Sequence, residues 1–272
     1  MSRIDALFAE LRKSGRKAFM PFVTAGDPDL AFTADVIREL DRCGATLCEV
    51  GIPYSDPIAD GPVIQASYTR ALAKKIKLPA IFEMLRGVSG QVKMPLVTMV
   101  SYAIVHRYGL KKYVEGAQRA GASGAIVPDL LVEEAGELAA ICKAADFSLI
   151  QLVTPTTPRE RALQIARAST GFLYYVSIAG ITGERTELPP SLVENVGWLK
   201  SQTDLPLCIG FGISQPAHVK LLAPVADGLI VGSAIVRRIA EAATKPREIV
   251  LTGIGEYAAQ LMDALPSPSP QP

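Results

Sequence analysis

The feature that most constrains the fold is an alternation of short apolar runs with amphipathic segments along the chain. Continuous apolar strands separated by helices indicate a parallel sheet that is buried on both faces. The predicted strands are Ala18–Thr24, Leu47–Gly51, Pro95–Val100, Gly124–Val127, Ser148–Val153, Phe172–Val176, Leu207–Gly210 and Gly228–Val231. The predicted helices between them include Ala31–Cys43, Lys111–Ala120, Val132–Ala145, Pro158–Ala168 and Ser191–Ser201.

Eight strand–helix units predict a closed barrel. They occupy about 215 residues, a length that fits a single (β/α)8 TIM barrel, and the polar amphipathic amino terminus adds one further helix. A doubly wound open sheet is the competing architecture, but no Gly-x-Gly-x-x-Gly turn follows the first strand. We therefore expect one TIM-barrel domain over residues 1–265 and a disordered Pro/Ser tail over residues 266–272.

Composition excludes several classes of partner. The 28 Lys and Arg residues balance 27 Asp and Glu residues without a basic tract, so we expect neither nucleic acid nor a membrane surface as a partner. The amino terminus lacks the apolar centre of a signal peptide, and no run approaches the roughly 18 apolar residues of a membrane span. We expect a cytoplasmic protein whose scattered cysteines are buried free thiols: Cys43, Cys48, Cys142 and Cys208.

Glycine-containing loops follow the last three predicted strands. Because glycine lets backbone amides approach an anion, and because a helix amino terminus attracts one, three such loops on one sector predict a phosphate site. A simpler interpretation is that these glycines only form tight turns. The predicted phosphate-binding residues are Gly183, Gly212, Gly232 and Ser233, of which the last two precede the helical run Ala234–Ala240.

Glu49 is the least expected residue of the second strand. Its neighbours are apolar, and a buried carboxylate must be paired, protonated or functional. Pointing inward, it would have a raised pKa suited to acid–base work; pointing outward, it would pair with a helix Lys or Arg. Asp60 follows in the next loop and could reach the same cavity, or it could cap the helix that begins near Pro62.

The sequence lacks the residues that a Schiff-base mechanism or a catalytic metal site would need at the expected positions. No Lys lies at the carboxyl end of a predicted strand, which disfavours a Schiff-base mechanism. His106 and His218 are isolated, which disfavours a catalytic metal, and both are expected in loops or at the surface. Aromatic residues at the strand ends could pack in the core or hold a flat apolar ring: Phe22, Tyr102, Tyr174 and Phe211.

The segment Glu49–Gln65, EVGIPYSDPIADGPVIQ, resembles the signature of tryptophan synthase α subunits. Similarity to the family continues, in its order, over Pro21–Pro28, Gly124–Leu130, Ala179–Gly183, Gly210–Ser214 and Val231–Val236.

The resemblance implies a lyase that cleaves indole-3-glycerol phosphate to indole and glyceraldehyde 3-phosphate. It assigns Glu49 as general acid/base, Asp60 to the indole nitrogen and Tyr174 to the reacting atoms. It also assigns Gly183, Gly212, Gly232 and Ser233 to the phosphate, and Phe22, Tyr102 and Phe211 to the indole pocket.

The resemblance further implies a β subunit that carries pyridoxal phosphate in an α2β2 heterotetramer, with no cofactor and no metal in this chain. Loops 53–62 and 179–189 match two mobile loops that close the site.

Three positions depart from the family pattern. Ile104 and Val105 replace the usual Asn-Pro, Leu131 replaces a Pro, and Glu184–Thr186 replaces small residues. Because the first two bear on the partner-facing rim, a stand-alone lyase without a β subunit is a competing hypothesis. A catalytically silent barrel that regulates a partner is another, but the retained Glu49 and Asp60 argue against it.

Overall fold

The apolar runs form nine parallel strands in a computed structural model that describes residues 2–57, 60–176, 190–210 and 212–266. The strands are β1 Ala18–Thr24, β2 Cys48–Gly51, β3 Leu96–Met99, β4 Ala122–Ile126, β5 Ser148–Ile150, β6 Leu152–Val153, β7 Leu173–Val176, β8 Leu207–Gly210 and β9 Gly228–Val231. The helices are α1 Arg3–Lys13, α2 Leu30–Arg42, α3 Pro62–Ala73, α4 Leu78–Ser89, α5 Tyr102–Tyr108, α6 Leu110–Arg119, α7 Gly136–Ala144, α8 Arg159–Ala168, α9 Pro190–Gln202, α10 Pro216–Leu222, α11 Ser233–Ala240 and α12 Arg247–Met262.

The sheet curls into the predicted barrel. Its order is β5-β4-β3-β2-β1-β9-β8-β7-β6, and every pairing is parallel. Its two edge strands are separated in the chain only by Gln151, whose carbonyl oxygen accepts a hydrogen bond from the Tyr174 amide at 3.1 Å. The predicted fifth strand is therefore two short strands, because the chain changes its pairing partner from β4 to β7 at Gln151.

One predicted helix begins later than expected. The run from Val132 forms a turn, in which the amides of Glu134 and Ala135 bond the carbonyl oxygens three residues earlier, and α7 starts only at Gly136. Three-residue bonds close a tighter turn than the four-residue bonds of an α-helix. The helical pattern was right in type and wrong in its start.

The two faces of the strands build separate apolar layers. Outward side chains pack beneath the surrounding helices in the larger core cluster. The barrel interior is filled by Ala18, Met20, Leu47, Val97, Ile126, Ile150, Phe172, Tyr174, Cys208 and Ile230.

The additional helix predicted at the amino terminus is α1. It closes the end of the barrel at which the strands begin. Its side chains Ile4, Phe8 and Leu11 belong to the interior cluster, and the Phe8 ring lies 5.8 Å from that of Phe172 between centroids. A capping box between Ser2 and Asp5 fixes the start of the helix. Since apolar side chains fill this end, a ligand must enter from the mouth, the end at which the strands terminate.

Two further observations concern the described ranges. No helix there is long and apolar enough to cross a membrane. Cys48, Cys142 and Cys208 are buried free thiols as predicted, whereas Cys43 at the end of α2 is half-buried.

Candidate active site

Glu49 points into the barrel. Its neighbours Cys48 and Val50 pack on the outer side, and its register partner Val97 on β3 belongs to the interior cluster. Alternation along a strand therefore places the Glu49 side chain inside, not against a helix. The residue is 0% exposed, and neither carboxyl oxygen has a hydrogen-bond partner among the described residues. Burial raises the pKa of Glu49 well above its usual value, because nothing compensates the lost hydration of the charged form.

Asp60 is a half-buried loop residue at the mouth. It precedes α3, but Gly61 occupies the N-cap position and the helix has no side-chain cap, so the capping interpretation is wrong. Burial raises the pKa of Asp60 to about 6. Asp60 therefore titrates close to neutrality, and the pKa values of both carboxyls are raised by the same cause, burial.

Tyr174 spans the interior from β7. Its register partner Cys208 also faces inward, and the hydroxyl lies over Gly210, where an added methyl group would approach it to 2.3 Å. Glycine at position 210 thus makes room for the phenol. Burial raises the pKa of Tyr174, with smaller contributions from the Glu49 and Asp60 carboxyls. The phenol therefore lies within electrostatic reach of Glu49 in the interior and of Asp60 at the mouth.

An apolar cavity of about 210 Å³ opens at the mouth beside Asp60. A methyl group on Gly51, which lies two residues beyond Glu49 on the same face, would contact Phe22 Cζ at 2.4 Å and the Tyr68 hydroxyl at 2.9 Å. Phe22 and Tyr68 therefore lie over the strand end that carries Glu49. The cavity is lined by Ile52, Tyr54, Asp56, Pro57, Asp60, Tyr68, Met99, Val100, Ser101, Pro128 and Asp129.

Three of the predicted phosphate-binding residues, Gly212, Gly232 and Ser233, lie beyond the ends of β8 and β9. Gly210 and Ile230 are register partners, so Gly212 and Gly232 lie at the same level beyond two adjacent strands. Gly232 is the N-cap of α11 and Ser233 its first residue. The first amides of a helix have no partner within it and favour an anion. An added methyl group on Gly232 would lie 3.8 Å from Phe22 Cβ, which places this helix start beside the aromatic wall.

The remaining predicted site residues are Tyr102, Gly183 and Phe211. Tyr102 begins α5 and is half-buried, and its ring lies 5.9 Å from the His106 ring between centroids, tilted by 56°. The cavity reaches its neighbour Ser101 but is not lined by Tyr102 itself. Gly183 and Phe211, and the predicted mobile segment 179–189, lie outside the described residues.

Asp129 connects the loops that follow β3 and β4 through hydrogen bonds. Its carboxylate accepts hydrogen bonds from the Ser101 hydroxyl at 2.6 Å and from the Tyr102 amide at 2.7 Å. The Ser101 hydroxyl in turn accepts from the Ala103 amide, which caps α5. Asp129 therefore shapes the cavity wall through hydrogen bonds that are already satisfied.

Sequence reasoning missed Tyr68. The signal was present, because Ile64, Ser67, Tyr68 and Ala71 form the buried face of α3 at helical spacing. The expectation for His218 was wrong: it is buried in α10, and its Nδ1 accepts a hydrogen bond from the Ser214 amide at 3.2 Å. In the part of the chain that the structure describes, no three His, Cys, Asp or Glu residues cluster as metal ligands.

Comparison with known proteins identifies the family. A family model described as tryptophan synthase alpha chain matches residues 8–264. The chain belongs to the tryptophan synthase alpha chain family. The alpha chain of Rhodopirellula baltica is 59% identical over 250 residues, covering 91% of this chain and 90% of that protein. The alpha chain of Caldanaerobacter subterraneus is 42% identical over 265 residues, covering 97% and 100%.

Solved structures agree with this assignment. The tryptophan synthase subunit alpha of Legionella pneumophila superposes with a TM-score of 0.89 at 35% identity, covering 97% of this chain and 98% of that one. A chain of the tryptophan synthase α2β2 complex of Pyrococcus furiosus superposes with a TM-score of 0.84 at 36% identity, covering 90% and 98%. Tryptophan synthase alpha chains have a lyase role in tryptophan synthesis; they carry no cofactor, and pyridoxal phosphate belongs to the β subunit.

Proposed function

We propose that this chain cleaves indole-3-glycerol phosphate to indole and glyceraldehyde 3-phosphate. The observation that carries the proposal is the Glu49 carboxyl, which is fully buried, unpartnered among the described residues and aimed into the barrel beneath a mouth that also holds Asp60. A buried acid with a raised pKa keeps its proton to a higher pH than a free carboxyl does and can deliver it inside an apolar cavity.

The reaction needs a proton at indole C3. When Glu49 protonates C3, that carbon becomes tetrahedral and positive charge moves to the ring nitrogen. Asp60, ionised above a pH of about 6, accepts a hydrogen bond from the N–H and stabilises this charge.

The carbon–carbon bond then breaks. The Glu49 carboxylate takes the proton of the side-chain hydroxyl, that carbon becomes an aldehyde, and the bonding electrons return to the ring, which leaves as indole. Glu49 ends protonated, so the step is balanced. The hydroxyl of Tyr174 lies in the same interior and is proposed to contact the reacting atoms.

The two ends of the substrate fit separate parts of the mouth. Gly212, Gly232 and Ser233 are proposed to bind the phosphate, since the amides at the start of α11 attract an anion. The Phe22 ring, beside Gly232, is proposed to hold the indole. Gly183, Phe211 and Tyr102 remain assigned to the phosphate and the indole pocket by the family pattern alone.

A β subunit is the proposed partner. The Pyrococcus furiosus relative is part of an α2β2 complex. On this chain Leu131, which replaces a family Pro, is 53% exposed on the loop beyond β4. We propose an α2β2 heterotetramer with the pyridoxal phosphate in the β subunit.

The test is a cleavage assay with purified chain, with and without a cognate β subunit. Glu49→Gln keeps the shape of the side chain but cannot donate its proton, so cleavage should fall by about 1,000-fold or more. The circular dichroism spectrum and the affinity for glycerol 3-phosphate should be unchanged. Near-normal turnover of this variant would refute the acid/base role. High turnover that a β subunit does not alter would favour the stand-alone lyase.

A further inference from the structure

Tyr68 is a buried phenol at the mouth of the barrel that none of the assigned roles uses. It is 3% exposed, lines the cavity, and packs with Phe22, Ile64 and Val236. Its hydroxyl lies over Gly51, within 2.9 Å of the position of an added methyl group. The ring is thus held in apolar packing while the hydroxyl reaches the strand end above Glu49.

Two polar contacts fix α3, the helix that carries Tyr68. The Ser67 hydroxyl lies 2.7 Å from the Thr24 hydroxyl at the end of β1, and both are buried. One turn away, Arg70 donates two hydrogen bonds to the fully buried Asp27 carboxylate, at 2.8 and 2.6 Å. These contacts join the helix to the β1 end of the barrel, so the Tyr68 hydroxyl has a defined position.

Neither the Tyr68 hydroxyl nor the Asp60 carboxylate has a hydrogen-bond partner within the described ranges, although both line one cavity. The described residues that line this cavity include no Lys, Arg or His. The hydroxyl of Ser101 already donates to Asp129. The other titratable groups facing Asp60 are Tyr54, Asp56 and Asp129 in the cavity wall, and Glu49 and Tyr174 in the interior.

Among the described residues that line the cavity, the titratable groups that an ionised Asp60 faces are therefore carboxyls and phenols. A half-buried carboxylate without a cation needs a hydrogen-bond donor to remain charged, and a phenol can supply one. Tyr68 is the most buried of the phenols that line the cavity and lies on the fixed helix.

We propose that the Tyr68 hydroxyl donates a hydrogen bond to the Asp60 carboxylate whenever this carboxylate is ionised, and so holds it charged and directed at the substrate. The inference deepens the proposed cleavage reaction and rests on it for its consequence. Tyr68 acts through Asp60 and is a positioning residue.

The electrostatics of the two tyrosines agree with this assignment. Burial raises the pKa of Tyr68, and the Asp60 carboxyl raises it further, ahead of Glu49. For Tyr174 the order of the two carboxyls is reversed. Of the two carboxyls, Asp60 contributes more to the raised pKa of Tyr68 and Glu49 more to that of Tyr174, and the Tyr68 phenol keeps the proton that a donor needs.

The decisive measurement is the titration of the Asp60 carboxyl carbon by ¹³C NMR in chain labelled at aspartate, assigned with Asp60→Asn. Tyr68→Phe should move this titration upward by about one pH unit, the effect of one hydrogen bond to a charged group. The acidic limb of kcat/KM for cleavage should move upward by the same amount. In the Asp60→Asn background, Tyr68→Phe should change neither the profile nor the rate appreciably.

Two matched variants complete the test. Tyr113→Phe removes a buried hydroxyl that bonds Thr98 outside the site and should leave the Asp60 titration unchanged. Tyr54→Phe removes the other described phenol that lines the cavity. An Asp60 titration that Tyr68→Phe leaves in place, or that Tyr54→Phe moves instead, overturns the proposal. Absence of cleavage by the wild-type chain would refute the reaction but leave the NMR result to decide the role of Tyr68.

Discussion

Replacement of Asp60 by Asn should change how folding stability depends on pH and should also lower the rate of cleavage. The carboxyl has a usual pKa of 3.8, which burial raises to about 6 in the folded chain. A rise of this size corresponds to about 3 kcal/mol, at about 1.4 kcal/mol per pH unit, and partial exposure reduces it to about 2 kcal/mol. Because the folded pKa is the higher one, the folded state binds the proton more tightly than the unfolded state.

The sign of the effect follows from this binding. The stabilisation by the proton is fully present below pH 3.8 and is lost as the pH rises through about 6. The amide that Asp60→Asn introduces has no proton to lose. The free energy of unfolding of this variant, relative to wild type, should therefore increase by about 2 kcal/mol between about pH 4 and about pH 7.5.

Urea unfolding of both chains at several pH values measures this difference, and titrations common to both chains cancel. Asp56→Asn, at an exposed carboxylate of the same loop, is the control. In the cleavage assay Asp60→Asn should lose about 100-fold or more in kcat/KM, and the wild-type acidic limb near pH 6 should disappear with it. A stability difference that does not change with pH would refute the reasoning.

Two glycine substitutions test the geometry of the mouth. Gly210→Ala places a methyl group 2.3 Å from the Tyr174 hydroxyl, so the ring must move; we expect a loss of about 1–3 kcal/mol in urea unfolding and at least about tenfold slower cleavage. Gly253→Ala, in α12 with no atom within 4 Å of the added group, is its control and should be neutral or slightly stabilising. Gly232→Leu should raise the calorimetric Kd for glycerol 3-phosphate by about tenfold or more, because a side chain at the start of α11 blocks the amides; an unchanged Kd would remove Gly232 from the phosphate site.

The strands could be predicted because they are apolar on both faces. Predicted and observed bounds agree for β1, β8 and β9, and the order of elements predicted the closed barrel. The interruption at Gln151 could not be predicted, since a pairing change depends on which strands are adjacent. The late start of α7 could not be predicted either, because local propensity does not distinguish a turn from the first turn of a helix.

The motif from Glu49 to Gln65 was sufficient to indicate the family, and the matched family model confirms it. Tyr68 follows three residues after that motif and was missed, because a tyrosine on an apolar helix face is usually core. Only its position over Gly51, beside Asp60 in one cavity, distinguishes it from core packing.

The sequence by itself determined the order of strands and helices and the loops that meet at the mouth, because periodicity and chain direction are local properties. The tertiary structure alone decided that Glu49 faces inward, since both faces of β2 are buried and alternation does not say which one is the interior. The tertiary structure also decided the pKa values of the Glu49 and Asp60 carboxyls. A pKa depends on burial and neighbours, and residues far apart in the chain supply both.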